Sequence, residues 1–235
     1  MKNKTSAPQF LPNMLEKIDE LPFVNERNAF ALLVAMHVAG VFGLSFDETR
    51  ALFQLLTPFN LIVTAAVLLH FEQEKSKNYL LFIFITFILG YGFEVLGVKT
   101  GVIFGEYTYG KTLGFKLFEV PLTIGINWVV LSYLTRGVAA RLSSSKILIV
   151  ILASTLMVLL DLLIEPVAIA LDFWQWQENV IPTRNYIGWF LLSCLIQAIG
   201  LKIFPKSNNM LSLKLMVLEF LFFAALFILF KQQTI

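Results

Sequence analysis

Cysteine occurs once in this chain, at Cys194 inside an apolar run, so neither a disulfide framework nor a thiolate metal site is available. Histidine occurs twice, and His37 and His70 lie on separate segments without metal-ligand spacing. Charge is scarce too. Only 14% of the 235 residues are charged and the net charge is +2, which gives nucleic acid nothing to bind. No Ser–His or Cys–His nucleophile pattern, phosphate-cradling loop, or haem or flavin signature is present. There is no internal repeat and no low-complexity tract. Residues 1–27 have no continuous apolar core of the kind a secretory signal needs.

What the chain has in abundance is apolar surface: 57% hydrophobic residues, including 23 phenylalanines. Apolar runs of about 20 residues recur along it, the length needed to cross a bilayer as a helix. The expected fold is all-α, a polytopic membrane protein with about seven transmembrane helices in one bundle. The spans are expected over 28–46, 51–71, 79–98, 117–134, 147–173, 186–204 and 210–230, making 28–230 the membrane domain. Residues 1–27 read as a cytosolic tail with a short amphipathic helix around 14–21, and 231–235 as a C-terminal tail.

Several polar residues within the spans read as structural. His37 is expected to be packed and hydrogen-bonded. Pro58, with Thr57 and Asn60, marks a kink, with Asn60 lining a pocket as the alternative, and Glu219 makes a lone hydrogen bond. The 72–78 loop reads as a solvated connection. Glu119 and Pro121 are placed in the first turn of the fourth span, where proline fits and a carboxylate complements the helix dipole. Arg136, Arg141 and Lys146 fall in the following loop.

Seven of the thirteen glycines crowd into Gly90–Gly114, together with Glu94, Glu106, Tyr91, Tyr107 and Tyr109. Glycine permits close backbone approach, and an intramembrane carboxylate marks a functional site by default. In the fifth span Asp161 and Glu165 are four apart and share a helix face, with Pro166 expected to bend the helix. Asp172 joins that face if the helix continues. Lysine and arginine are more numerous in the tail and in the second, fourth and sixth loops than in the others, so the positive-inside rule makes the N-terminus cytosolic in the cell membrane. Parity alone then brings Glu94, Glu106, Asp161, Glu165 and Asp172 to one leaflet. There they can surround a cavity rimmed by Tyr107, Tyr109, Trp174, Trp176 and Trp189. An aromatic belt at the membrane interface would place the same rings there.

A carboxyl in an apolar site can stay protonated and act as an acid, a second can hold or deprotonate water, and aromatic faces stabilise a cation. That set fits protonation of an apolar polyene or isoprenoid. It fits a proton-coupled transporter equally well.

The run EVLGVKTGVIFGEYTYGKTLGFKLFEVPLTIGINW, residues 94–128, resembles the CruF-type membrane carotenoid 1,2-hydratases, which include the bisanhydrobacterioruberin hydratases. The pattern falls on Glu94, Gly97, Gly101, Phe104, Gly105, Tyr107, Tyr109, Leu113, Gly114, Val120, Pro121 and Trp128. A second block, DLLIEPVAIALDFWQWQENVIPTRNYIGW, carries Asp161, Glu165-Pro166, Trp174, Trp176, Asn185, Tyr186, Gly188 and Trp189. Here Glu165-Pro166 stands where Asp-Pro is the commoner form. The resemblance implies hydration of the terminal C1–C2 double bond of an acyclic carotenoid ψ-end, without a cofactor. Its implied partners are a carotenoid in the bilayer and other carotenoid-pathway enzymes. Expected roles are acid for Asp161 or Glu94, water activation for Glu165 with Asn185, and cation shielding for Trp174, Trp176 or Tyr107. Tyr109, Trp128, Asp172 and Trp189 complete the substrate site. A cyclase would share the protonation step. A proton-coupled transporter or a pigment-complex scaffold would not hydrate.

Overall fold

The computed structural model describes residues 25–233 except 178, 206 and 208. The amphipathic helix expected around 14–21 therefore lies outside the described residues. Seven helices follow one another: α1 (Glu26–Ser45), α2 (Asp47–His70), α3 (Lys77–Thr100), α4 (Leu122–Leu142), α5 (Lys146–Ala170), α6 (Thr183–Ile203) and α7 (Leu211–Gln233). Each is long and apolar enough to cross a membrane. The seven-span expectation holds, and the chain is a multi-pass membrane protein.

Local chemistry sets the helix ends. The Asn25 side chain accepts from the Asn28 amide at 2.8 Å and opens α1. Ser76 does the same for α3 through the Tyr79 amide. Gly101, at φ +64°, closes α3 in the left-handed conformation. Helix α4 is the most enclosed: 78% of its apolar window is buried by the protein, against 17% for α2 and for α7. It is the central post, and α2, α3, α5, α6 and α7 pack around it. The outward faces of α2, α3 and α7 carry bare Leu, Phe and Ile, as a lipid-facing surface requires.

The fourth span differs from its expected 117–134. The chain first makes a hairpin of β2 (Lys116–Leu117) and β3 (Val120–Pro121). Phe118 and Glu119 form its two-residue turn, both at positive φ. Glu119 is therefore a turn residue and caps no helix. Pro121 is the residue before the first turn, with extended ψ. At the other end α4 continues to Leu142, so Arg136 is buried in a helix and leaves the loop count that oriented the chain. Its guanidinium lies 3.9 Å from the Phe82 ring centre, a packing that lets a charged group stay inside an apolar bundle.

Two further expectations change. Glu72 is buried, accepting hydrogen bonds from Tyr133 and Ser207, so its loop is no plain solvated link. Helix α5 stops at Ala170, and Asp172 takes φ +55° in the turn beyond it. That turn feeds β4 (Trp174–Trp176), which pairs antiparallel with β1 (Tyr107–Tyr109). This two-stranded ribbon ties the glycine-rich segment to the segment after α5.

Candidate active site

Side chains on a strand alternate faces, so Tyr-x-Tyr and Trp-x-Trp each present two rings to one side. In the ribbon Tyr107 pairs with Trp176 and Tyr109 with Trp174. All four rings are buried, while Thr108 points out. Ring centres are 5.0 Å apart in the first pair and 6.0 Å in the second. The ribbon is an aromatic lid closed over the end of the bundle. Gly110 seats its edge: a Cβ there would come within 2.0 Å of the Asp172 carbonyl oxygen, and its amide donates to Phe173 O at 2.9 Å.

Under the lid stand three carboxyl groups, with Glu94 2%, Asp161 0% and Glu165 1% exposed. Glu94, from α3, accepts from the hydroxyls of Tyr107 (2.5 Å) and Tyr109 (2.7 Å) on Oε2. Its Oε1 accepts from the Trp128 indole at 3.0 Å. Glu165, from α5, accepts from the indoles of Trp174 (3.0 Å) and Trp176 (2.8 Å) on Oε2. Its Oε1 accepts from the Asn185 amide at 2.9 Å. The same amide nitrogen donates to Asp161 Oδ2 at 3.1 Å. Donors to a charged acceptor contribute about 1.5–3 kcal/mol each, the scale needed to keep a buried carboxylate from unfolding its surroundings. Asp161 is different: its Oδ1 has no partner among the described residues.

The lid tyrosines cannot easily ionise. Burial, then the neighbouring Glu94 charge, pushes the Tyr107 and Tyr109 phenols well above their ordinary value of 10.0. They remain O–H donors. Trp128 packs against Trp189, with ring centres 4.6 Å apart and planes inclined by 34°, and closes the floor of the site.

A void of about 20 Å³ lies among these groups, lined by Glu94, Glu165, Asn185 and the lid rings. That is room for one water molecule. Ile124, Asn127 and Trp174 line both this void and a larger apolar cavity of about 320 Å³ between α1, α2, α4, α5 and α7. Phe59 and Leu56, on the wall of the larger cavity, are 62% and 43% exposed on the lipid-facing side. The cavity thus reaches the bilayer sideways.

A family model described as carotenoid biosynthesis protein matches residues 53–235, which contain every residue of this site. The chain belongs to that family. It is similar to the bisanhydrobacterioruberin hydratase of Haloarcula japonica, 33% identical over 117 residues. That alignment takes in 44% of this chain and 38% of the relative, so the chain spans well under half of the relative's length. No solved structure matches the chain.

Of the expected site residues in this member of the carotenoid biosynthesis family, ten come together: Glu94, Tyr107, Tyr109, Trp128, Asp161, Glu165, Trp174, Trp176, Asn185 and Trp189. Asp172 does not join them. It is exposed, and its carboxylate accepts from the Lys111 amide at 3.2 Å, outside the lid. Glu106 is likewise exposed, folded against Gly101. Sequence reading missed Asn127. His37 is packed and hydrogen-bonded and Glu219 carries a structural hydrogen bond, both as expected; what the sequence did not foretell is that they bond each other. The two face each other across 3.3 Å on the wall of the large cavity. Asn60 lines that cavity as well, the alternative to its place in a kink. A polar residue on the otherwise apolar face of a span was the available signal in each case.

Proposed function

We propose that this protein is a carotenoid hydratase that adds water across the terminal C1–C2 double bond of an acyclic ψ-end. The observation that carries this reading is the contact between the two cavities. A space for one water, walled by Glu94, Glu165 and Asn185, lies next to a large apolar cavity, with Ile124, Asn127 and Trp174 as the wall they share. A polyene entering from the lipid brings its end to a fixed water and an acid. The hydratase similarity of part of the chain supports the same reading.

The chemistry follows from the hydrogen bonds. Glu94, with three donors on its two oxygens and no second carboxyl sharing them, suits a carboxylate that stabilises positive charge. Asp161 and Glu165, bridged by the Asn185 amide, act as a pair holding one proton, with Asp161 Oδ1 free to carry it. The pair delivers its proton to C2, and the C1–C2 π bond supplies the electrons. The tertiary cation at C1 lies against the Trp174 and Trp176 rings and is stabilised by their faces. Water attacks C1 and loses a proton to Glu165, which faces the void. The proton count of the pair is restored. The protein works in the cell membrane with a cytosolic N-terminus, alongside other enzymes of carotenoid synthesis.

The test is expression in a bacterial host that makes lycopene and γ-carotene, with pigments separated and weighed by mass spectrometry. A product heavier by one water with an unchanged chromophore is expected. A new ring without a mass change would replace this reading with a cyclase. Unchanged pigments despite good expression would overturn it.

A further inference from the structure

Buried polar atoms without a hydrogen-bond partner are rare in proteins, and internal water is the usual reason for them. Eight such side-chain atoms occur among the described residues, and all lie on α3, α4, α5 and α6. None lies on α1, α2 or α7. Their spacing is regular. On α6, Asn185 and Trp189 of the active site are continued by Ser193 and Gln197, each one helical turn further on. On α4, Trp128 is continued in the same steps by Ser132 and Arg136. On α3, Thr86 lies two turns below Glu94, and on α5, Ser154 lies two turns below Asp161. These positions are buried on the inner faces of their helices.

Contacts fix the register of three of the helices. At the upper level the Trp128 ring meets both Trp189 and the backbone of Gly90, where a Cβ would lie 2.3 Å from it. One turn lower, the Gln197 amide donates to Ser132 O at 2.9 Å and to Thr135 at 3.2 Å. At the lowest level the Arg136 guanidinium packs against Phe82 of α3, and a Cβ on Gly200 of α6 would come within 2.3 Å of it. The orphaned hydroxyls of Thr86 and Ser193 belong between the upper and lowest levels. Beside this level Tyr133, three residues before Arg136 on α4, reaches Glu72, Ser207 and Asn209, residues of the loops on the opposite membrane face from the ribbon.

We infer that these residues form a water-bearing polar ladder from that face to the acid cluster, and that it supplies the water consumed there. This rests on the hydratase reading for its purpose, though not for its existence. The aromatic lid covers the near face and the large cavity is lined mostly by apolar side chains, so a reaction that consumes water calls for a polar route. Orphaned hydroxyls and amides at helical intervals can hold a file of waters, each with two or more partners.

The test compares the full wild-type chain in detergent micelles with the shape-preserving double variant Thr86→Val, Ser193→Ala. Hydroxyl-radical footprinting in ¹⁸O-water reads buried water directly. Met157, fully buried between Ser154 and Asp161, is expected to be oxidised, and Met216, buried on α7, is expected to be protected. The variant should lose Met157 labelling. Equal protection of both methionines in the wild type would overturn the ladder. In the pigment assay the variant should lower kcat about tenfold with KM and melting temperature kept. Unchanged kcat would overturn the supply role, showing the hydroxyls to be satisfied by their own helix carbonyls. A wild type that labels Met157 yet hydrates no polyene would overturn the functional reading and leave the ladder standing.

Discussion

At Glu165 three N–H groups converge on one carboxylate, and none of the three donors can accept in return. Glutamine there would turn an NH2 group toward a donor and lose the proton acceptor. Glu165→Gln is expected to cut hydration at least about a hundredfold, the scale of general acid–base catalysis, in the pigment assay. Full activity would remove Glu165 from the mechanism. Asp161→Asn should lose activity on the same scale, because the pair then lacks its proton. At the lid, the raised phenols of Tyr107 and Tyr109 have a direct consequence for stability. Both ionise at higher pH in the folded than in the unfolded chain. Their contribution is complete below about pH 10 and is lost as pH rises through the folded-state values. Melting temperature measured against pH should fall above about pH 10, and Tyr107→Phe with Tyr109→Phe should flatten that fall.

The element that builds the site is the β1–β4 ribbon. Its side-chain period of two is what turns Tyr107, Tyr109, Trp174 and Trp176 inward together. Inserting one glycine between Gln175 and Trp176 should turn Trp176 outward and abolish hydration, read by pigment mass with the protein still inserted in the membrane. The β2–β3 hairpin makes a separate claim. Glu119 holds φ +68°, a conformation that favours glycine. Glu119→Gly is expected to raise stability by about 0.4–1 kcal/mol in thermal unfolding. A helix-capping glutamate would show the opposite sign. The ribbon was not legible from local pattern, since YTY and WQW are too short to declare themselves strands and lie 65 residues apart.

For the whole molecule, odd and even spans place the ribbon and the 72–76 loop on opposite membrane faces. With Cys194 replaced by alanine, single cysteines at the exposed positions Thr108 and Lys75 should react with an impermeant maleimide from opposite sides of sealed vesicles. The proposed orientation expects labelling at position 75 only from the cytosolic side. Labelling of both from one side would break the seven-span topology. Burial also has a molecular logic here. Helix α4 is enclosed by its neighbours, so it carries the residues that lipid would reject, including Arg136 and Ser132.

The sequence by itself determined the number of spans and their parity, because apolar length against bilayer thickness is a one-dimensional constraint. It also brought Glu94, Asp161 and Glu165 to one leaflet, since parity needs no coordinates. Tertiary structure alone decided which acids meet. Glu106 and Asp172 share that leaflet yet stay outside, because the left-handed turns at Gly101 and Asp172 aim the two segments into a ribbon before either carboxylate can face inward. Tertiary structure also decided that the lid rings are hydrogen-bond donors to the acids, and that His37 meets Glu219. Those are distances between helices remote in sequence, set by side-chain packing across the bundle, and no periodicity along the chain encodes them.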